Sequence, residues 1–388
     1  MSLGHGASPV KNGLVFHYDM ANTGKSWKGA PYKNELVATG WSGDGSNQTA
    51  FVKSTTLITD TKLKFRGLPT YLWAPGSSLN GYLNGTEDLN YSSTSAEWTF
   101  SCFIKRDDGA PITSLNVYMY YPSSDGAAAG TIQDMGDGWY RVFRIRTGTV
   151  NYLGLVGFTG FSANHKYYLS GAMLTKTQFP VYPVDPGVTR TNTEAIVDLT
   201  KNNTITATNL TYNVDGSFKF DGSTNYIALP NTQIVGSTNG TISTIIEIPS
   251  AASDYDAIFS CETGPDWYNL RTWLSMYGSN QIRFSIGNTT ASTQNDCVSS
   301  VLQYNTPYMI TATYDGSSAK IYINGNLDRS ISTTIVPGIF TPTLVRIGHH
   351  YSTRYFLGTI YSLKIYNRTL SDLEVAQNFE ASRGRYGI

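Results

Sequence analysis

The sequence predicts an all-β protein made of two β-sandwich (jelly-roll) domains, with one short helix at its C-terminal end. Three observations carry this expectation. Short apolar and aromatic runs of alternating pattern recur along the chain, separated by Gly, Asn, Asp and Pro. Only 14% of the 388 residues are charged, while Gly (37) and Tyr (27) abound, as in a turn-rich fold with a hydroxyl- and aromatic-rich surface. The length also exceeds what one core ordinarily organises, so two domains are expected.

In chain order, residues 1–12 read as a flexible leader. A strand follows at 13–20, with Leu14, Phe16 and Tyr18 on one face and Val15 and His17 on the other. The run 96–104 alternates cleanly and places Trp98, Phe100 and Cys102 together. Residues 116–121 form another strand, and 139–146 alternates in imperfect phase, so both of its faces should be partly covered. Strands at 153–158 and 166–174 lead to a Pro-rich exit at 179–186. Beyond 188 the strands are plainer: 241–248, 273–277, 281–286, 308–314, 320–323 and 344–348. Asp315-Gly316 and Asn324-Gly325 supply tight turns between the later ones.

The end of the chain is the most readable part. Phe356, Ile360, Tyr361, Leu363, Ile365 and Tyr366 make an aromatic, β-branched strand. Leu370-Ser371-Asp372-Leu373-Glu374-Val375 is then a complete helix start. Ser371 caps the Glu374 amide, Glu374 reaches back to Ser371, and Leu370 staples onto Val375.

These stretches carry a resemblance. The order aromatic–Gly–x–Ile, alternating strand, then Tyr366-Asn367-Arg368-Thr369-Leu370-Ser371-x-x-Glu374 is similar to the last strand and exit helix of concanavalin A-like, laminin-G-like sandwiches. Such modules are frequent in bacterial surface proteins and in bacteriophage tail and virion proteins. The double hairpin Tyr314-Asp315-Gly316…Lys320-Ile321-Tyr322-Ile323-Asn324-Gly325 is a second mark of the same family. Gly13-Leu14-Val15-x-x-x-Asp19 resembles its first strand. The phrase that should follow comes only as Val197-Asp198-Leu199-Thr200-Lys201-Asn202-Asn203, ahead of 216–222 and 226–229.

The resemblance therefore implies a split sandwich. Residues 13–33 hold its first strand, 188–388 the remainder, and 34–184 is an insert; two plain tandem domains, with 13–33 in the first, are the alternative. Insertion at a surface turn is cheap when the ends of the insert lie close together. Within the insert, Asp137-Gly138-Trp139-Tyr140-Arg141-Val142, the strand ending at Leu174 and the Phe179-Pro180-x-Tyr182 exit resemble carbohydrate-binding-module-like jelly rolls of phage tail proteins.

Charge and motifs narrow the function. There are 28 basic and 28 acidic residues with no like-charged block, which argues against nucleic acid and against a polybasic membrane anchor as partners. No apolar run approaches the roughly 18 residues of a membrane span, and no signal peptide is visible, so synthesis in the host cytoplasm and a place on the virion surface are expected. Three cysteines, Cys102, Cys261 and Cys297, are too sparse for a disulfide scaffold or a zinc site; a Cys261–Cys297 pair is the alternative to buried free thiols.

Glucanases on this fold align their carboxylates along one strand, whereas Glu247, Asp254, Asp256, Glu262 and Asp266 form no such pattern. No nucleophile elbow or phosphate loop is present either. A non-enzymatic protein without cofactor is expected, with calcium through Asp254, Asp256 and Asp266 as a lesser possibility.

Sugars offer apolar C–H faces and many hydroxyls, so aromatic platforms rimmed by Asn, Asp and Arg suit them. Trp267, Tyr268, Asn269 and Arg271 in a Gly/Pro-bounded loop fit that chemistry. So do His349, His350, Tyr351 and Arg354, read here as a solvated loop, and Tyr71, Trp73 and Tyr82 in the insert. Core or subunit-interface packing is the competing role for all of them. The reading is a bacteriophage virion surface protein (tail fibre, adhesin or head decoration), homo-oligomeric, contacting other virion proteins and host cell-surface polysaccharide. A purely structural assembly module and a glycan depolymerase are the alternatives.

Overall fold

The computed structural model describes residues 8–20, 22, 25–26, 28, 57–65, 68–73, 80–84, 96–119, 128–148, 155–159, 161–162, 164–177, 180–184, 189–212, 218–264, 270–278, 280–288, 294–351 and 354–388. The chain divides into two compact units, one of Met1–Lys28, Asn192–Asn213 and Ser217–Ile388, the other of Gly29–Thr191 and Val214–Gly216.

The first unit is a sandwich of an eight-stranded and a nine-stranded sheet. In the eight-stranded sheet, Leu357–Tyr366 lies against Gly240–Glu247 on one side. Its other side pairs with Leu14–Asp19 and, farther along, with Phe218–Asp221. Pro307–Tyr314, Ser318–Ile323 and Asn326–Ser332 extend the sheet as a meander. The turn between the last two strands has Asn324 at φ 48 and Gly325 at φ 81, the double left-handed geometry that an Asn-Gly hairpin favours.

Gly358, the glycine of the closing motif, is obligatory for a different reason. It sits at φ 142, and a Cβ there would lie 2.5 Å from the Glu247 carbonyl oxygen.

Residues from both sheets fill one core. Phe16, Tyr18, Ile242, Ile310, Ile360 and Leu363 meet Phe259, Cys261, Leu274, Phe284, Val345 and Ile347, all essentially without exposed surface. Each such apolar side chain contributes about 1.5–3 kcal/mol relative to exposure. One expectation shifts in detail. The register breaks between Leu14 and Phe16, so Leu14 leaves the core face that Phe16 and Tyr18 share and packs with Tyr322, Tyr366 and Val375. All three cysteines are free and buried.

The outer face of the eight-stranded sheet is covered by the helix Asp372–Tyr386. It starts with the expected capping box and ends at Gly387, φ 68, with Arg383 and Arg385 in the last turn where the helix dipole favours cations. Leu370 and Val375 lie in the same apolar cluster, as the staple requires. Asn378 on its buried face accepts the Val10 amide at 2.9 Å, and Gln377 donates to the Ser8 carbonyl. Those two residues of the expected flexible leader are thus tied down.

Beneath the last turn lies a buried polar cluster. Asp19 accepts from Arg385 and from the Tyr386 hydroxyl, each at 2.5 Å. Burial raises the Asp19 carboxyl, but those hydrogen bonds and the Arg385 charge outweigh it and leave the pKa below the ordinary value. Lys364, fully buried, is pushed down to about 8 by desolvation.

The second unit is also a sandwich. Its six-stranded sheet runs Leu57–Phe65, Leu68–Trp73, Tyr167–Thr175, Ala96–Arg106, Trp139–Gly148, Thr131–Gly136. The four-stranded sheet is Asn80–Asn84, Leu155–Thr159, Asn116–Met119, Ala128–Ala129. Trp98, Phe100 and Cys102 enter one core with Val117, Val142 and Leu169, while Phe103 and Trp139 pack on the other face with Phe65. Both faces of Trp139–Gly148 are therefore partly covered, as its imperfect alternation implied.

Candidate functional site

The strand Ala257–Glu262, inside the nine-stranded sheet, organises the site. Phe259 and Cys261 face the core, which turns Ser260 and Glu262 to the opposite side. Cross-strand partners share a face, so Ser260 stands between Arg346 and Trp273. One strand farther on, Ser285 is opposite Trp273 and Arg283 is opposite Ser275. Asp296 lies opposite Ser285. This outer face is polar and aromatic, yet Ser260, Glu262, Trp273 and Ser275 are each fully buried.

A short strap closes over it. His349–His350 folds back on Arg354–Tyr355, and the latter pairs with Ala257. The Ser260 hydroxyl donates to the His349 carbonyl at 2.8 Å and lies 3.3 Å from Glu262 Oε1, which accepts the Tyr351 amide at 3.4 Å. His350 Nδ1 is 3.1 Å from the Tyr351 carbonyl oxygen, and its Nε2 is 3.2 Å from Glu262 Oε2.

That geometry fixes the protons. A carbonyl oxygen only accepts, so Nδ1 carries hydrogen; Nε2 and Glu262 Oε2 lie close without a hydrogen bond between them. Burial pushes the Glu262 carboxyl up to about 7 and the His350 imidazole down to about 4. Burial thus favours the uncharged form of both groups. Across the strap, Arg346 Nη1 donates to His349 Nδ1 at 2.6 Å, which leaves the His349 proton on Nε2.

Rings and guanidinia line the rest of the face. Arg283 lies 4.3 Å from the Tyr255 ring, 4.6 Å from Trp273 and 5.5 Å from Tyr277. Arg354 covers Tyr255 at 5.0 Å, and Arg346 covers Tyr226 at 4.3 Å. Trp273 is 5.1 Å from His350, and His349 is 4.1 Å from Tyr355. Tyr255 adopts a left-handed backbone, φ 70, which strains a bulky residue by about 1–2 kcal/mol. The row opens to solvent at Tyr277 (42% exposed) and Tyr351 (44%). Tyr226, Tyr255, Arg346, Arg354 and Tyr355 are half-buried.

Of the residues singled out from sequence, Tyr351 and Arg354 belong to this face. His349 and His350 do too, but not as a solvated loop: they are buried, 3% and 6% exposed, because His349 bonds Arg346 and His350 packs against Trp273 and Glu262. Trp267, Tyr268 and Asn269 lie outside the described residues, as do Asp266 and the side chains of Arg271 and Tyr82. Trp73 is core, with no exposed surface and its ring 4.3 Å from Phe161; a ring so enclosed cannot stack on a sugar. Tyr71 is half-buried against the same core.

Sequence reasoning missed Trp273, Arg283, Tyr255, Glu262, Arg346 and Tyr226 as site residues. The one available signal was Ser260 and Glu262 alternating with Phe259 and Cys261.

As for cations, Asp254 accepts the Gly278 amide and Asp256 the Ser253 amide. Among the described residues, Asp107, Asp108 and His165 of the second unit bring three ligand atoms within 4.8 Å of one another. Asp108 is already taken by both forks of Arg106, and Asp107 by the Lys166 amide.

A laminin G-type family model, described as the concanavalin A-like lectin/glucanases superfamily, matches residues 221–376. No curated protein matches the sequence. Among solved structures, domain 4 of AbnA, an extracellular arabinanase from Geobacillus stearothermophilus, in complex with arabinotriose, is similar at 18% identity and TM-score 0.38, over 47% of this chain and 92% of that one. The binding domain of botulinum neurotoxin serotype D is similar at 18% identity and TM-score 0.38, over 49% of each chain. The receptor binding domain of the botulinum neurotoxin C/D mosaic serotype gives 16%, 0.38 and 49% of each. This chain thus spans about half the length of those toxin domains. Residues 221–376 form a domain of the concanavalin A-like lectin/glucanase fold.

Proposed function

We propose that this chain is a non-enzymatic, carbohydrate-binding surface protein of bacteriophage virions, and that it binds host polysaccharide through the outer face of its nine-stranded sheet. The observation that carries the binding role is the row Tyr277–Arg283–Trp273–Tyr255–Arg354, rings and guanidinia in sequence along one sheet face, open to solvent beside Tyr351. The exposed Tyr277 and Tyr351 present flat apolar faces to sugar C–H groups, and the half-buried Arg354 donates to hydroxyls without a change in protonation. The strap is held by bonds of Ser260 and Arg346 to His349 and of the Tyr351 amide to Glu262, so these groups are pre-positioned and little ordering entropy is lost on binding.

The virion assignment rests on the resemblance of the two sandwiches to phage modules. A homo-oligomer seated on other virion proteins goes with it, since repeated weak sites gain avidity.

A glycan array probed with the full chain, alongside Tyr351→Ala and Tyr277→Ala, tests the binding role. Binding by the wild type that falls in both variants is the expected result. A chain that binds no glycan, yet is found on intact particles by labelled-antibody imaging, would instead make it a structural assembly module. One observation favours a depolymerase as the second reading: Glu262 is a carboxyl whose pKa lies near neutrality, as a general acid requires. Release of reducing ends from host polysaccharide, abolished in Glu262→Gln, would establish that.

A further inference from the structure

The charges of this face decide what kind of polysaccharide suits it. Glu262, the acid that feels Arg346, lies 3.2 Å from His350, and burial pushes its carboxyl up to about 7, which weakens it as a counter-charge. Arg283 has Asp296 at 3.9 Å. Asp256, the acid that feels Arg354, is turned to the Ser253 and Leu357 amides, and Asp254 to the Gly278 amide. Among the described residues, neither Arg346 nor Arg354 forms an ion pair. Each lies over a tyrosine ring, half-buried. Both sit at the strap, Arg346 bonded to His349 and Arg354 opposite His350.

A half-buried guanidinium laid on a ring keeps N–H donors in the plane of its fork, which suit an anionic group. Arg346 and Arg354 are thus two guanidinia of this face that an anion brought by a ligand can pair with, although the chain as a whole is neutral.

We infer that the face selects an acidic polysaccharide, with its anionic groups taken by Arg346 and Arg354 and a sugar ring by Tyr351. This rests on the binding role proposed above and adds the ligand class to it.

The test is binding of the full chain to immobilised polysaccharides: a uronic-acid polymer, the same polymer after carbodiimide reduction of its carboxyls, a phosphate-bearing polymer and a neutral glucan. Binding to the uronic-acid polymer is expected to fall about ten- to a hundredfold in Arg354→Ala and in Arg346→Gln, the loss of a charge-assisted hydrogen bond. It should fall similarly when the carboxyls are reduced, and weaken as salt rises. Arg354→Lys should retain part of it, since charge remains and the planar fork does not. Equal melting temperatures, expected for half-exposed side chains, exclude misfolding as the cause. If the phosphate polymer alone binds, with the same dependence on both arginines, the anion is phosphate and the inference stands. Tight binding to the neutral glucan, indifferent to both arginines but lost in Tyr351→Ala, would overturn the charge selection and leave the binding role intact. Failure of all four polymers to bind would overturn both.

Discussion

His350 and Glu262 approach to 3.2 Å, Nε2 to Oε2, while the other imidazole nitrogen faces the Tyr351 carbonyl oxygen at 3.1 Å. The strap that carries Tyr351 and Arg354 thereby folds over Glu262, whose Oε1 accepts the Tyr351 amide. Glu262→Gln keeps the size of the side chain and an acceptor for the Tyr351 amide, and should preserve the fold. Glu262→Ala leaves buried polar groups unmatched and a cavity beside Trp273, and should cost about 2–4 kcal/mol in chemical denaturation.

The same pair sets a pH dependence. The Glu262 carboxyl is raised in the folded state to about 7. Its stabilising contribution is complete below the unfolded value near 4.5 and is lost as pH rises through 7. His350 is depressed to about 4, so its contribution holds above about 6.5 and is lost as pH falls through 4. Between those limits the two cancel, because folded and unfolded states each hold one proton on the pair. Glu262→Gln cannot titrate and should gain on wild type by roughly 2–3 kcal/mol from pH 4.5 to 7 in urea melts. A gap that stays constant with pH would refute the proton assignment.

Asp19 and Lys364, under the exit helix, answer differently to removal. Asp19→Ala strips Arg385 and Tyr386 of their acceptor and leaves buried Lys364 without a nearby anion, which should destabilise by about 3 kcal/mol. The depressed Asp19 pKa means that its contribution holds above about 3.8 and fades below it. Lys364→Met should be neutral or stabilising. It should also abolish the rise in stability between pH 8 and 10.5 that a depressed lysine produces.

At the helix start, Ser371→Ala removes the acceptor of the Glu374 amide. The loss should be about 1 kcal/mol, read as a lower thermal midpoint. Ser371→Asp should restore most of it.

Removing residues 1–20 takes away Leu14–Asp19, and with it Phe16 and Tyr18 from the main core and Val10 from beneath the helix. The truncated chain should unfold at much lower denaturant concentration, with the C-terminal sandwich affected throughout. Full cooperativity and unchanged stability in the truncated form would show that the first strand is dispensable.

Local chemistry made much of this fold legible in the sequence. The capping box, the Asn324-Gly325 turn and the Phe16/Tyr18 alternation each state a geometry within a few residues, and each is present. What depends on pairing across the sheet was not legible. Ala257–Glu262 is buried on both faces, so it lacks the half-exposed alternation of a surface strand, and its acids read as part of an irregular loop. His349-His350 read as solvated because two adjacent histidines give no hint of a strap folded over Glu262. Trp273 was recognised as a strand residue, but only the register against Ser260 and Ser285 shows which side it serves. The strand Asn326–Ser332 was missed because its mostly exposed, polar pattern matches a loop. A site assembled from five strands and a strap has no signature within any one segment.

Amide hydrogen exchange of the full chain, with and without a polysaccharide that it binds, tests the central claim most directly. Slowed exchange confined to 253–262, 272–283 and 346–356 is the predicted footprint. Protection located in the second unit, or on the helix-covered sheet, with these three segments unchanged, would contradict the assignment of the binding face.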